Sequence, residues 1–146
     1  MTTREQIVAE ARSWLGTRWH HQASVKGVGC DCAGLVIGVA RSLGIEGIEE
    51  YEGSSEMHGY GRQPTADTLR KACAQFFLPV PPRPLLAGNI LLMRFSNEPQ
   101  HFALLAGGDP PHIIHAYAQA RMTVEHALDA LWLSRVVAAY SYKGVV

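Results

Sequence analysis

Cysteine is scarce in this chain, three residues among 146. A small, odd count argues against a closed disulfide framework and suits a reducing compartment. No apolar run approaches the roughly 20 residues a helix needs to cross a bilayer, so no membrane span is expected. The opening Met1-Thr2-Thr3-Arg4-Glu5-Gln6 is polar where a secretory leader would be apolar, and the expectation is a protein that is cytoplasmic as synthesised. An excess of charge is missing as well: 13 basic and 13 acidic residues cancel, and no basic run occurs. Nothing neutralises a phosphate backbone, which argues against nucleic acid as a partner. Charged residues make up only 18% and apolar ones 47%. That is the composition of a chain that folds by itself, here as one domain over 1–146. Repeats and low-complexity segments are absent.

What is present begins with helical patterning. Thr3 and Gln6 have capping-box spacing, and Ile7, Ala11, Trp14 and Leu15 follow on one face before Gly16. Residues 17–29 read as a loop. A second helix starts at about Asp31 or Cys32, with Asp31 as its N-cap, and runs to Gly44. Residues 45–63 read as a long surface loop carrying Tyr51, Met57, His58 and Tyr60. Pro64 and Thr65 open a third helix whose buried side holds Leu69, Cys73, Phe76 and Phe77. The run Pro79-Val80-Pro81-Pro82-Arg83-Pro84 is expected to be extended and unable to join a ladder. Beyond it the period shortens. Residues 90–95, 101–106, 112–117, 122–125 and 136–142 read as antiparallel strands, with a short helix or turn around 127–133. Helices first and a meander afterwards make an α+β fold.

The chemistry centres on Gly27-Val28-Gly29-Cys30-Asp31-Cys32-Ala33-Gly34-Leu35-Val36. This glycine-rich turn delivers Cys32 to the first turn of a helix. Unpaired N–H groups and the macrodipole there favour a thiolate, which makes Cys32 a candidate nucleophile. A cysteine nucleophile needs a base, and the base needs a partner that orients it. His101 and His115 lie 14 positions apart around Gly107-Gly108-Asp109-Pro110-Pro111, a spacing that suits two imidazoles side by side on neighbouring strands. His112, three positions from His115, falls on the opposite face. Cys30 and Cys73 read as structural, and His58 and His126 as solvated loop or strand-end residues. Trp19 either covers the core or contacts a substrate. His20, His21, Cys30 and Cys32 offer zinc-type ligands, but a C-x-C spacing and adjacent histidines suit a single ion poorly. No metal and no cofactor is expected.

Five segments occur in a telling order: Gly16-Thr17-Arg18-Trp19, Asp31-Cys32-Ala33-Gly34-Leu35-Val36, Gly88-Asn89-Ile90-Leu91, His101-Phe102-Ala103-Leu104-Leu105 and Ile114-His115-Ala116. Together they resemble the NlpC-type cell-wall cysteine peptidase family, whose pattern runs G-T-P-Y, D-C-S-G-L-V, G-D-L, H-V-G-I and I-H-A. The stretch from His20 to Cys32 resembles the branch found in phage tail and gene-transfer-agent clusters. The resemblance implies a papain-like fold, with N-terminal helices packed on a C-terminal antiparallel sheet. It implies hydrolysis of peptidoglycan stem peptides, typically after γ-D-glutamate. Catalytic positions fall on Cys32, His101 and His115, and substrate-binding positions on Trp19, Asp31 and Ala33. Three residues depart from the pattern: Ala33 replaces its serine, Asn89 its aspartate and Trp19 its tyrosine. Peptidoglycan peptides and phage tail proteins are the expected partners, with a tail or gene-transfer-agent particle as a destination. Two further readings belong to other classes: a tail-assembly module with little catalysis, and an acyltransferase built on the same acyl-enzyme.

Overall fold

A computed structural model describes residues 1–54, 66–95 and 99–146, with backbone alone at Ala66, Asp67 and Pro99. The expected helix start at Pro64 and Thr65, and the positions of Met57, His58 and Tyr60, lie outside the described residues. Helix α1 (Arg4–Arg12) begins at the capping box expected of it: the Thr3 side chain accepts from the Gln6 N–H while Gln6 Oε1 accepts from the Thr3 N–H. It buries Ile7, Val8 and Ala11. Trp14 is buried just past its end, but Leu15 faces solvent because the helix has already stopped at Arg12. Strands β1 (Ser24–Val25) and β2 (Gly29–Cys30) pair antiparallel within the stretch expected to be loop.

Helix α2 (Cys32–Leu43) is the centre of the molecule. Asp31 caps its start, and Gly44, with φ 66°, closes it in the left-handed conformation that favours glycine. All residues from Cys32 to Ala40 are buried, as expected of a helix surrounded on every side. Two glycines permit that approach. A Cβ at Gly34 would collide with the Ala23 carbonyl oxygen, and one at Gly38 with the Trp14 ring.

The segment read as a 45–63 surface loop instead forms helix α3 (Ile48–Glu52) in its described part. Its Tyr51 is fully buried and stacks on Phe76 with ring centroids 4.7 Å apart. The acidic residues around Tyr51 masked a single inward-facing aromatic, which is the reason for the difference. Helix α4 (Ala66–Phe76) contributes the buried Leu69, Cys73 and Phe76, and Phe77 follows.

Strands β3 (Leu78–Val80), β4 (Ile90–Arg94), β5 (Pro99–Gly107), β6 (His112–Tyr117), β7 (Met122–Ala127) and β8 (Val136–Ser141) form one antiparallel sheet in the order β3-β8-β4-β5-β6-β7. The expectation that the proline run cannot join a ladder is corrected here, since Pro79 sits opposite Tyr140. Strand β3 is an edge, where a proline without an N–H is tolerated. A 3₁₀ turn (Ala118–Ala120) joins β6 to β7, and helix α5 (Ala130–Ser134) precedes β8.

Both faces of the sheet are covered. Ile90, Leu92, Phe102, Leu104, Ile114 and Ala116 pack on the helices. Leu91, Met93, Ala103, Leu105 and Ile113 form a second cluster with Leu128, Ala139 and Trp132. This α+β arrangement of helices on an antiparallel sheet leaves one end of the β5–β6 ladder open. The paired positions of that ladder reach only to Leu104 opposite Ile114, so His101 and His115 lie beyond it.

Candidate active site

Two elements converge on the open end of the ladder. From the helical side, α2 brings Cys32 at its first residue. Asp31 fixes that start with both carboxylate oxygens: Oδ1 accepts from the Gly34 N–H at 2.8 Å and Oδ2 from the Gln22 N–H at 2.8 Å. From the sheet side, β5 brings His101. Cys32 and His101, 6% and 5% exposed, line one cavity with Trp19, Asp31, Phe95, Gln100, Ala116 and Tyr117. Phe95 forms an aromatic wall, with its ring centroid 5.0 Å from that of His101 and 5.7 Å from that of Tyr117.

Behind His101 stands His115, fully buried, with its Nδ1 2.7 Å from His101 Nε2. Cys32 and His101 thus share a cavity wall, and His115 is hydrogen-bonded to His101 from behind. The structure then continues the line. His115 Nε2 lies 2.8 Å from Nε2 of His126, and Nδ1 of His126 lies 2.9 Å from the Ala127 carbonyl oxygen. His126 is therefore no solvated strand-end residue, which corrects the sequence reading. Trp132 covers the chain of rings, with centroids 5.0 Å from His115 and 4.9 Å from His126. The Arg135 guanidinium lies on the Trp132 ring at 4.5 Å. Neither His126 nor Trp132 stands out in the sequence. The available signal was parity: once β6 pairs with β7 so that His115 faces Val124, His126 must share His115's face.

Electrostatics hold these groups neutral at rest. Burial, with the Asp31 carboxylate adding to it, pushes the Cys32 thiol up to about 12. The N–H groups of Phe102 and Ala33 point at the sulfur and oppose that shift without overcoming it. The sequence expectation is a thiolate favoured by the helix start; here burial outweighs the two N–H groups at the sulfur and the thiol rests protonated. Burial, then the positive Arg135, pulls His101 down to about 3. Burial, then the neighbouring His101 and His126, pulls His115 down to about 2. A neutral thiol beside a neutral imidazole can pass its proton across when a substrate arrives.

The other expected site residues divide. Trp19 lines the cavity. Asp31 borders it while its carboxylate is engaged as helix cap and loop anchor. Ala33 is fully buried and not part of the cavity wall. Asn89 is also remote from it: the side chain is buried and Oδ1 accepts from the Leu86 N–H at 2.8 Å, holding the turn before β4. Cys30 is buried against Thr123, with Sγ 3.3 Å from Oγ1, and Cys73 is buried within α4. His112 meets Glu125 at 3.1 Å on the face opposite His115. Among the described residues, no group of three or more His, Cys, Asp and Glu is arranged to hold a metal ion, and no helix is long and apolar enough to cross a membrane.

No family model and no curated protein matches the chain. Solved structures do. An NlpC/P60 family protein from Bacillus cereus superposes with a TM-score of 0.67 and 17% identity over 95% of this chain and 40% of its own. NlpC1 from Trichomonas vaginalis gives 0.66 and 17% over 95% and 44%. The NlpC/p60 domain of the peptidoglycan hydrolase SagA gives 0.60 and 21% over 94% and 97%. The chain spans less than half the length of the first two, and nearly all of the SagA domain. At these identities the likeness is one of architecture: the chain has the α+β, papain-like fold of NlpC/P60 domains.

Proposed function

We propose that this protein is a cysteine peptidase that cleaves peptide bonds in peptidoglycan stem peptides, after γ-D-glutamate. The observation that carries the reading is that Cys32 and His101 line one cavity with His115 hydrogen-bonded behind the base. In the proposed reaction His101 takes the Cys32 proton and the sulfur attacks the scissile carbonyl carbon. The Cys32 backbone N–H donates to the oxyanion. The carbon–nitrogen bond then breaks, and the proton on His101 goes to the departing amine. Water, deprotonated by His101, then attacks the thioester carbonyl carbon, the carbon–sulfur bond breaks, and the proton on His101 returns to the Cys32 sulfur.

Supporting the substrate class is the shared fold with a domain of a peptidoglycan hydrolase. The departures at Ala33 and Asn89 are compatible with it, because both residues lie outside the cavity wall. Purified protein should release peptides from sacculi, and Cys32→Ala should abolish release. Equal activity in that variant sinks the proposal.

Transfer of the acyl group to an amine is the variant of the same chemistry, and the product masses separate the two. One observation favours a different class. The near-complete burial of Cys32 is what a retained but idle site in a tail-assembly module would show. Selective alkylation of Cys32 at mildly acidic pH, where an ordinary thiol stays protonated, supports catalysis; a Cys32 rate that rises only at alkaline pH supports the idle site. Residence in a phage tail or gene-transfer-agent particle rests on the resemblance of the His20–Cys32 stretch, and proteomics of purified particles tests it.

A further inference from the structure

The reading of Cys32 and His101 as a catalytic pair leaves one question of chemistry: which nitrogen of His101 carries the proton. The line of rings answers it from its far end. A carbonyl oxygen can only accept, so the 2.9 Å contact between His126 Nδ1 and the Ala127 oxygen requires a proton on that nitrogen. In a neutral His126 the other nitrogen, Nε2, is then bare and accepts from His115 Nε2 at 2.8 Å. His115 thus carries its proton on Nε2, leaving Nδ1 to accept from His101 Nε2 at 2.7 Å. His101 carries its proton on Nε2, and its Nδ1 lone pair is left for the thiol. One backbone carbonyl orients three rings.

We propose that His126 is a positioning residue that locks His115 and His101 into the single tautomeric array in which His101 can act as a base. This rests on the catalytic reading of the Cys32–His101 pair. Three features of the surroundings maintain the array. His115 is fully buried, so no water competes for its two nitrogens. Trp132 packs its ring on both His115 and His126, which holds the two rings in register. Arg135, whose guanidinium lies on Trp132, opposes a positive charge on His101. The charged neighbours on β7 and β6 do not intrude: Glu125 turns to the opposite face, where it holds Arg12 and His112. Asp129 is spent on capping Trp132 at the start of α5.

The test uses the full chain with ¹⁵N-labelled histidine. At neutral pH, His101 and His115 should each show protonated Nε2 and bare Nδ1. His126→Phe keeps a ring under Trp132 but removes the acceptor, and should erase the single-tautomer signature at both residues. It should also slow iodoacetamide alkylation of Cys32 at least tenfold. His126→Gln restores an acceptor oxygen at the position of Nε2 and should recover both signals. Unchanged tautomers and alkylation in His126→Phe overturn the proposal, and so does failure of His126→Gln to recover them. Circular dichroism checks that each variant is folded. The tautomers judge His126 alone, whereas peptide release from sacculi by the unaltered protein, compared with Cys32→Ala, judges the catalytic reading.

Discussion

Asp31 acts on Cys32 in two opposed ways. Its oxygens cap α2 and anchor Gln22, which places the thiol; its negative charge meanwhile raises the energy of a thiolate on the next residue. Asp31→Asn separates the two. Asparagine caps a helix about as well as aspartate, so Gly34 keeps its acceptor, while the contact to Gln22 is lost. The Cys32 thiol pKa should fall in this variant, read by alkylation rate against pH. Stability should drop by about 1–3 kcal/mol, the cost of a charged hydrogen bond. The cap at Asp31 and the pairing of His101 with His115 were legible from residue type and order. His126 was not, because a histidine between a glutamate and an alanine near a strand end carries no local signal. Only the register of β6 against β7 reveals it.

At the scale of elements, the start of α2 is held tightly against the loop that precedes it. Gly34 abuts the Ala23 backbone, and the Ser24 hydroxyl donates to the Gly34 carbonyl at 2.6 Å. Gly34→Ala has no space for its methyl group without moving α2 away from that backbone. The expected outcome is a loss of about 1–3 kcal/mol, as for other overpacked sites, with reduced alkylation of Cys32 even where the fold survives. Thermal denaturation and alkylation kinetics read the two effects. The boundaries of α2 were visible in the sequence because Asp31 and Gly44 are strong start and stop signals. Helix α3 was not, since five residues give too short a period and three of them are glutamates. The pairing of β3 through Pro79 was hidden for another reason. Whether a proline lies at an edge is a property of the whole sheet, not of its own neighbours.

At the scale of the molecule, burial of titratable groups sets a window of stability. His101 and His115 are held neutral far below the ordinary histidine value of 6.5. Below pH 6.5 the unfolded chain binds protons that the folded one refuses, so stability falls as pH drops from 6.5 toward 3. The three thiols behave in the mirror sense. Cys30, Cys32 and Cys73 are raised from 9.0 to about 11, 12 and 12. The unfolded chain ionises first, and stability is lost as pH climbs from 9 toward 12. Melting temperature should therefore be highest between pH 6.5 and 9, and a flat profile through pH 4.5 contradicts the buried neutral pair. The α+β architecture was legible from the change of period after the proline run. The doubly covered sheet was less so, because a strand such as Ile90–Met93, buried at every position, shows no alternation.

The central claim is that Cys32 forms a covalent acyl intermediate. It is tested most directly by intact-protein mass spectrometry on samples quenched in acid during digestion of peptidoglycan stem peptides. The account predicts a thioester adduct of the γ-glutamyl fragment, mapped to Cys32 and absent from Cys32→Ala. Release of peptides without any adduct on Cys32, at a rate that Cys32→Ala matches, contradicts it.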